Sequence, residues 1–138
     1  MINISAKLVY TLQALFELAK VYGGNVPLQA KEIAKKEGIP YKFLEQLFIS
    51  LKRGGLVKSI RGANGGYILA VSPSKISVYD LFVAVSGGGD FLSVKPKKRV
   101  LDKFFAEKEI EVKKLFSKSL QALVDEEKEI EKNIVYYI

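Results

Sequence analysis

Between residues 44 and 70 the chain changes period. Leu44, Leu47, Phe48 and Leu51 recur at the three-to-four spacing of an amphipathic helix. After Gly54-Gly55, residues 56–60 and 67–71 read instead as two short apolar strands. The loop joining them, Arg61-Gly62-Ala63-Asn64-Gly65-Gly66, is rich in residues that tolerate positive φ, as a tight hairpin requires. A helix that runs straight into a glycine-rich basic hairpin has the order of a recognition helix followed by a wing.

At ~100° per residue, Leu44, Leu47, Phe48 and Leu51 share one apolar arc of the helix. Lys42, Gln46, Ile49 and Arg53 cluster opposite, with Glu45 and Lys52 on the flank. One face packs, while the other offers a cation, an amide, an apolar tip and a guanidinium. Those are groups able to read base edges in a major groove. Glycines at a hairpin tip let backbone N–H groups approach a phosphate closely, but they also serve plain turn chemistry. Arg61, at the base of the turn, favours the first use.

Upstream, Ser5 suits an N-cap. Leu8, Leu12, Leu15, Phe16 and Ala19 then predict a helix over 6–22 that stops at Gly23-Gly24. Lys7 lies in its first turn, where the helix dipole disfavours a cation and a nearby phosphate would resolve the conflict. A second helix is predicted over 29–37, burying Ile33 and Ala34 and ending at Gly38. Ile39-Pro40 opens the third. The short connection with glycine at the stop fits a helix-turn-helix.

Downstream, Ser77 can cap a fourth helix with Leu81, Phe82 and Val85 inward. Gly87-Gly88-Gly89 breaks it. With no following Lys-[Ser/Thr] and no βαβ context, the triple glycine reads as a flexible joint rather than a phosphate cradle. From residue 96 to about 133 the pattern predicts a single long helix. Its stripe of Leu101, Phe105, Val112, Leu115, Leu123, Ile130 and Ile134 is widened by Phe104, Phe116 and Leu120. Such a stripe needs a partner helix, most simply its own copy; the alternative is a fold-back onto the same chain. The expected organisation is a DNA-binding domain over 1–87, a linker over 88–95 and a dimerisation helix with a tail over 96–138.

Charge sharpens this. Residues 1–75 hold 11 Lys and Arg against four acids, while residues 76–138 hold 11 of each sign. The whole net charge of +7 therefore belongs to the half with the helix–hairpin pattern, which points to a polyanionic partner. The absence of Cys and His excludes disulfides, thiolate metal sites and Cys- or His-based catalysis. No enzymatic role is expected, since the acids sit mostly on the charged face of the C-terminal segment. The N-terminus lacks the n- and h-regions of a signal peptide and no run approaches a membrane span, so the expectation is a cytoplasmic chain without membrane contact.

The chain resembles the Rrf-two family of winged-helix transcription regulators, also called IscR-like or BadM-like. The likeness rests on Ser5-Ala6-Lys7 with Tyr10, on Lys31-Glu32-Ile33-Ala34, on Phe43-Leu44-Glu45-Gln46-Leu47-Phe48, on the unbroken run over 55–70, and on Ile76-Ser77-Val78-Tyr79-Asp80. It covers residues 1–87; beyond them only the architecture matches. The resemblance implies a mainly α fold with a small β-hairpin, a winged helix-turn-helix domain plus a long C-terminal dimerisation helix. It also implies a homodimer on a pseudo-palindromic operator in double-stranded DNA. The matching positions are Tyr41, Lys42, Glu45 and Gln46 from the third helix, and Arg61 and Gly62 from the wing. Lys7, Arg53 and the wing residue Asn64 complete the candidate DNA-binding set. Glu45 on a DNA-facing flank can accept from a cytosine amino group. Leu101, Phe105, Val112, Leu115, Leu123 and Ile130 are the candidate dimerisation residues.

Three departures matter. Many members hold a [2Fe–2S] cluster through three cysteines between the fourth helix and the long helix, but residues 90–106 contain none. No cofactor is expected, and any signal must come from an effector, a small molecule or a protein, between the winged domain and the long helix. Phe91, Phe104 and Phe105 are candidates to line that site, with core packing the leading alternative. Pro40 and Lys42 stand where the family often has small polar residues. Leu8-Val9 replace a common Gly-Arg, so an operator cannot be transferred from a relative. The leading expectation is a sequence-specific regulator, a repressor, held by phosphate contacts from Lys7, Lys52, Arg53 and Lys58. The alternative is a winged-helix module that recruits an acidic protein.

Overall fold

The Ser5 hydroxyl accepts from the Leu8 backbone N–H and starts α1, Ala6–Lys20. Leu8, Leu15, Leu18 and two alanines of α1 are buried. Past α1 the chain turns through Gly23 at φ +88°, a left-handed conformation that favours glycine. The short α2, Ala30–Glu37, ends on Gly38 at φ +66°, with the Ile39 N–H bonding back to the Ala34 carbonyl. Pro40 stands at the N-cap of α3, Tyr41–Arg53. In this computed structural model residues 3–89 and 91–136 are described; Met1, Ile2, Asp90 and the tail residues Tyr137 and Ile138 lie outside the described residues.

Leu44, Leu47, Phe48 and Leu51 of α3 are all buried, as their angular arc predicts. After Gly55 at φ +77°, β1 (Val57–Ile60) pairs antiparallel with β2 (Gly66–Leu69), Val57 opposite Leu69 and Ile60 opposite Gly66. Leu28, from the α1–α2 connection, adds a bridge to Tyr67 through two backbone hydrogen bonds of 2.8 and 3.0 Å. The hairpin is thereby tied to the helical body on its outer edge. Its face is held by the Tyr67 ring, stacked on Phe48 at 4.2 Å and 5°. A single 3-10 turn, Pro73–Lys75, leads to α4, Val78–Val85. The start of α4 is a reciprocal capping box between Ser77 and Asp80.

The C-terminal segment departs from expectation. Instead of one helix there are two, α5 (Arg99–Leu115) and α6 (Leu120–Tyr136). The break has a local cause. The Ser119 hydroxyl caps the new helix by accepting from the Ala122 N–H. The intervening backbone is also strapped to the approach of α4. Tyr79 N–H donates to the Phe116 carbonyl, Val78 N–H to Lys118, and Leu120 N–H to Ile76, at 2.9, 3.0 and 2.8 Å. Phe116 packs on Phe82, with ring centres 5.0 Å apart. The apolar period runs through this turn unbroken, which is why periodicity alone reads a single helix.

The consequence for packing is a division of labour. Leu120 and Val124 are buried in the same core as Leu15, Leu18, Leu44, Phe48, Ile76 and Leu81. The start of α6 is thus a fold-back onto the chain's own winged unit, and Leu123 beside it is half-buried. In contrast α5 buries none of its side chains. Leu101, Leu115 (76% accessible) and, on α6, Ile130 are exposed, with Phe105 and Val112 partly covered.

Two polar groups enter the core region. Thr11 turns its hydroxyl to the Lys7 carbonyl at 2.7 Å. Glu17 receives Lys36 at 2.8 Å and Lys20 at 3.2 Å, joining α1 to α2. Burial pushes the Glu17 carboxyl up, but the two ammonium donors outweigh it and leave its pKa below the ordinary carboxylate value. The same bond raises the pKa of Lys36. Glu37 is held above its ordinary value by burial and then by the Glu17 charge. Gln13 completes the joint by donating to the Glu37 carbonyl.

Candidate nucleic-acid interface

Burial of its apolar arc fixes which way α3 faces. Lys42, Gln46, Ile49 and Arg53 all stand exposed on the opposite side, with Tyr41 and Glu45 beside them. From Tyr41 to Arg53 the helix rises about 18 Å at 1.5 Å per residue. That length fits within a major groove segment. The outward row carries no protein partner for Lys42 or Arg53 among the described ion pairs.

The structure groups these residues into two neighbourhoods. Tyr41 and Glu45 meet the wing at Ile60, Gly62 and Gly65, and the start of α2 at Gln29 and Lys31, around a shallow hollow of about 290 Å³. The Glu45 carboxylate, an acceptor one turn on, holds the Tyr41 phenol above its ordinary pKa. Lys31 lies over the Tyr41 ring, 5.9 Å from its centre. At the far end of α3, Arg53 and Lys7 border a larger cleft of about 540 Å³. Leu47, Leu51 and Leu56 form part of its apolar wall, and Val83, Gly87 and Gly88 close the α4 side. The outward side of α3 thus has a wing end and an α1 end, and Lys7 belongs to the second.

The wing glycines divide by role. Gly62, at φ +114°, has open space where a Cβ would be, so the tip beside Arg61 is free to approach a ligand. Gly65 and Gly66 have no such freedom. A Cβ on Gly65 would collide with the Ile60 carbonyl, and one on Gly66 with the Leu28 carbonyl. Those two serve the turn and the Leu28 bridge. Asn64 and Arg61 are exposed on the tip. Lys52 is committed elsewhere: its ammonium donates to the Ser59 hydroxyl at 2.8 Å, bracing α3 against β1. Lys58 is exposed on β1.

Sequence reasoning used Lys31 only as part of the α2 motif and missed its place at the wing end. The signal available was a lysine in the first turn of a short helix, soon after the Pro27 connection. Of the aromatic residues expected around an effector, Phe91 and Phe105 line a common hollow of about 280 Å³ with Lys95, Asp102 and Glu109. Phe104 packs edge-on against Phe105.

Comparison with known proteins agrees with this geometry. The pattern defining the family described as "Rrf2: Iron-dependent Transcriptional regulator" matches residues 4–131. The HTH-type transcriptional regulator CymR of Bacillus subtilis is 42% identical over 85 residues, covering 62% of this chain and 61% of that protein. The HTH-type transcriptional regulator IscR of Cereibacter sphaeroides is 39% identical over 84 residues, 60% of this chain and 54% of its own. The matched part therefore spans little more than half the length of these relatives. In three dimensions the chain is similar to T. potens IscR, with a TM-score of 0.77 and 32% identity over 94% of this chain and 90% of that one.

The family description names iron, and the residues present do not fit an iron–sulfur cluster. Cluster ligation needs cysteine thiolates, and the sequence has neither cysteine nor histidine. Among the described residues no group of three or more His, Cys, Asp or Glu is placed to hold a metal ion. Nor, among them, is any helix long and apolar enough to cross a membrane. A mainly helical body, an antiparallel hairpin packed on α3, and a family pattern running from α1 into α6 lead to one assignment: the chain belongs to the Rrf2 family of transcriptional regulators, which are not enzymes.

Proposed function

We propose that this chain is a sequence-specific DNA-binding repressor that acts as a homodimer on a two-fold operator. Residues 1–87 are the reading unit, 88–95 the linker, and α5 with the exposed part of α6 the pairing surface. The observation that carries the reading is the outward row of α3 standing beside an open, cationic wing tip, in the half of the chain that holds all the net positive charge. Gln46 and Arg53 have the chemistry to choose adenine and guanine, and Lys42 and Ile49 add a cation and an apolar surface. Arg61, Asn64 and the Gly62 backbone enter the neighbouring groove, while Lys7 and Lys58 take phosphates.

Pairing follows from α5. Seventeen residues with an apolar stripe, interrupted at Lys108, and no buried side chain gain most by covering that stripe with a second copy. Phe105 and Val112 lie at the stripe's centre, with Leu101, Leu115, Leu123 and Ile130 around them. The signal that moves this regulator is an effector rather than a cluster, since the ligands for a cluster are missing.

The test is selection of bound sequences from a random duplex pool at stated salt. The expected result is a motif with two-fold symmetry, its half-sites separated by about one helical turn or a multiple of it. Salt-insensitive binding, or recovery of no motif while an acidic protein is bound instead, overturns the reading.

A further inference from the structure

The balanced charge of residues 76–138 conceals a cluster. Lys95-Pro96-Lys97-Lys98-Arg99 places four cations in five residues, and extending the count to Lys103 leaves Asp102 as the single acid among them. All four are exposed. Among the described residues none of the four forms a salt bridge, whereas Lys103, Lys108 and Lys118 further along the chain each do.

Their position makes this costly. Lys98 is the N-cap of α5 and Arg99 its first residue. The helix dipole is positive at that end and disfavours cations there; Asp102 in the first turn is one anion against four of them. Lys98 also forms no side-chain cap bond to the opening N–H groups. Phe91, Leu92, Lys95 and Pro96 share a hollow with Asp102, Phe105 and Glu109, so the chain runs along the flank of α5 before turning into it. The same linker starts at Gly87–Gly88, which border the cleft of Lys7 and Arg53. Six residues lie between Gly88 and Lys95, a span of at most about 25 Å over seven Cα–Cα steps. That is less than one turn of duplex, about 34 Å.

We propose that Lys97, Lys98 and Arg99, with Lys95 beside them, are a second duplex-binding element that grips backbone phosphates flanking the site read by α3 and the wing. Short clusters rich in Lys and Arg bind nucleic acid through phosphate neutralisation, independent of sequence. The element widens the footprint and adds affinity without adding a base preference. This inference rests on the DNA-binding reading above.

The full-length chain is titrated with a 60-bp mixed-sequence duplex from about 50 to 300 mM salt. Wild type is compared with a variant carrying Lys97→Gln, Lys98→Gln and Arg99→Gln. Each phosphate that is no longer neutralised lowers the slope of log affinity against log salt by about 0.9, so the variant's slope should fall by about 2–3 for each protomer on the duplex, about 5 for a homodimer, with affinity at low salt at least tenfold weaker. A charge-keeping variant, Lys97→Arg with Lys98→Arg and Arg99→Lys, should bind as wild type does. Wild-type binding with an unchanged slope in the glutamine variant overturns the proposal while leaving the DNA-binding reading intact. Loss of binding to phosphatidylglycerol vesicles by that variant, with duplex binding unaltered, assigns the cluster to a lipid surface and also overturns it. A wild-type chain that binds no duplex removes both.

Discussion

In the proposed reading Arg61 is the residue on which the wing's function turns. It is exposed at the base of a tip whose Gly62 has open space where a Cβ would be, and its side chain is in none of the ion pairs among the described residues. Arg61→Ala should therefore weaken duplex binding by about 1–3 kcal/mol and leave the unfolding midpoint unchanged, as a mobility shift and a urea melt would show. Gly66 is the opposite case. It has φ +152° and faces the Leu28 carbonyl, so Gly66→Ala should cost about 1–3 kcal/mol of stability, read as a drop in the urea midpoint. Both positions stand in one glycine-rich loop, and composition cannot separate them. What separates them is the neighbour: Leu28 is 38 residues away in the chain, and its pairing with Tyr67 is invisible to local pattern.

Glu17 is equally illegible in the sequence. It is an acid in an otherwise apolar stretch of α1, buried and clasped by lysines from two helices. Its folded pKa lies below the ordinary 4.5, so the clasp contributes stability that is present above that value and lost as pH falls through the lowered one. Glu17→Gln should cost about 1–2 kcal/mol at neutral pH. The gap between variant and wild type should close as pH drops below about 4.5. Urea midpoints from neutral pH down to acid would trace it.

At the scale of elements, five stretches announce themselves through caps and period: α1 through Ser5, α2 through Gly38, α3 through its apolar arc, the hairpin through its glycines, and α4 through Ser77. Legibility fails at residues 116–119. A short turn flanked by stripe residues keeps the helical phase, so the apolar spacing survives a break that only the backbone bonds to α4 reveal. The structural finding makes a sharp forecast. Leu120 is in the protomer core and not on a pairing surface, so Leu120→Ala should destabilise the chain by about 2–4 kcal/mol. Its effect should be the same at low and high protein concentration, a distinction that chemical denaturation at two concentrations checks.

For the whole molecule the decisive feature is the covering of α5. Leu101 and Leu115 are exposed there, and neither supports the protomer's own core. Replacing both with glutamate should shift the mass measured by sedimentation from dimer to monomer while helical content by circular dichroism stays as it was. Such a monomer should also lose most of its affinity for a two-fold operator, since linked half-sites bind as one unit. The candidate interface itself was readable because one buried arc dictates what the other face of α3 must present. The fold of the C-terminal third was less so, because an apolar stripe says that something must cover it without saying whether that cover is near or far along the chain.

The strap between the α5–α6 turn and the approach to α4 is made of peptide groups. Those bonds do not depend on which side chains the exposed residues Ser117 and Lys118 carry, because amide and carbonyl are common to nearly every residue, while Phe116 and Leu120 add packing to the same attachment. Changes along the exposed face of α5 can thus alter what that face binds, while the attachment of the turn to α4 stays set by the main chain.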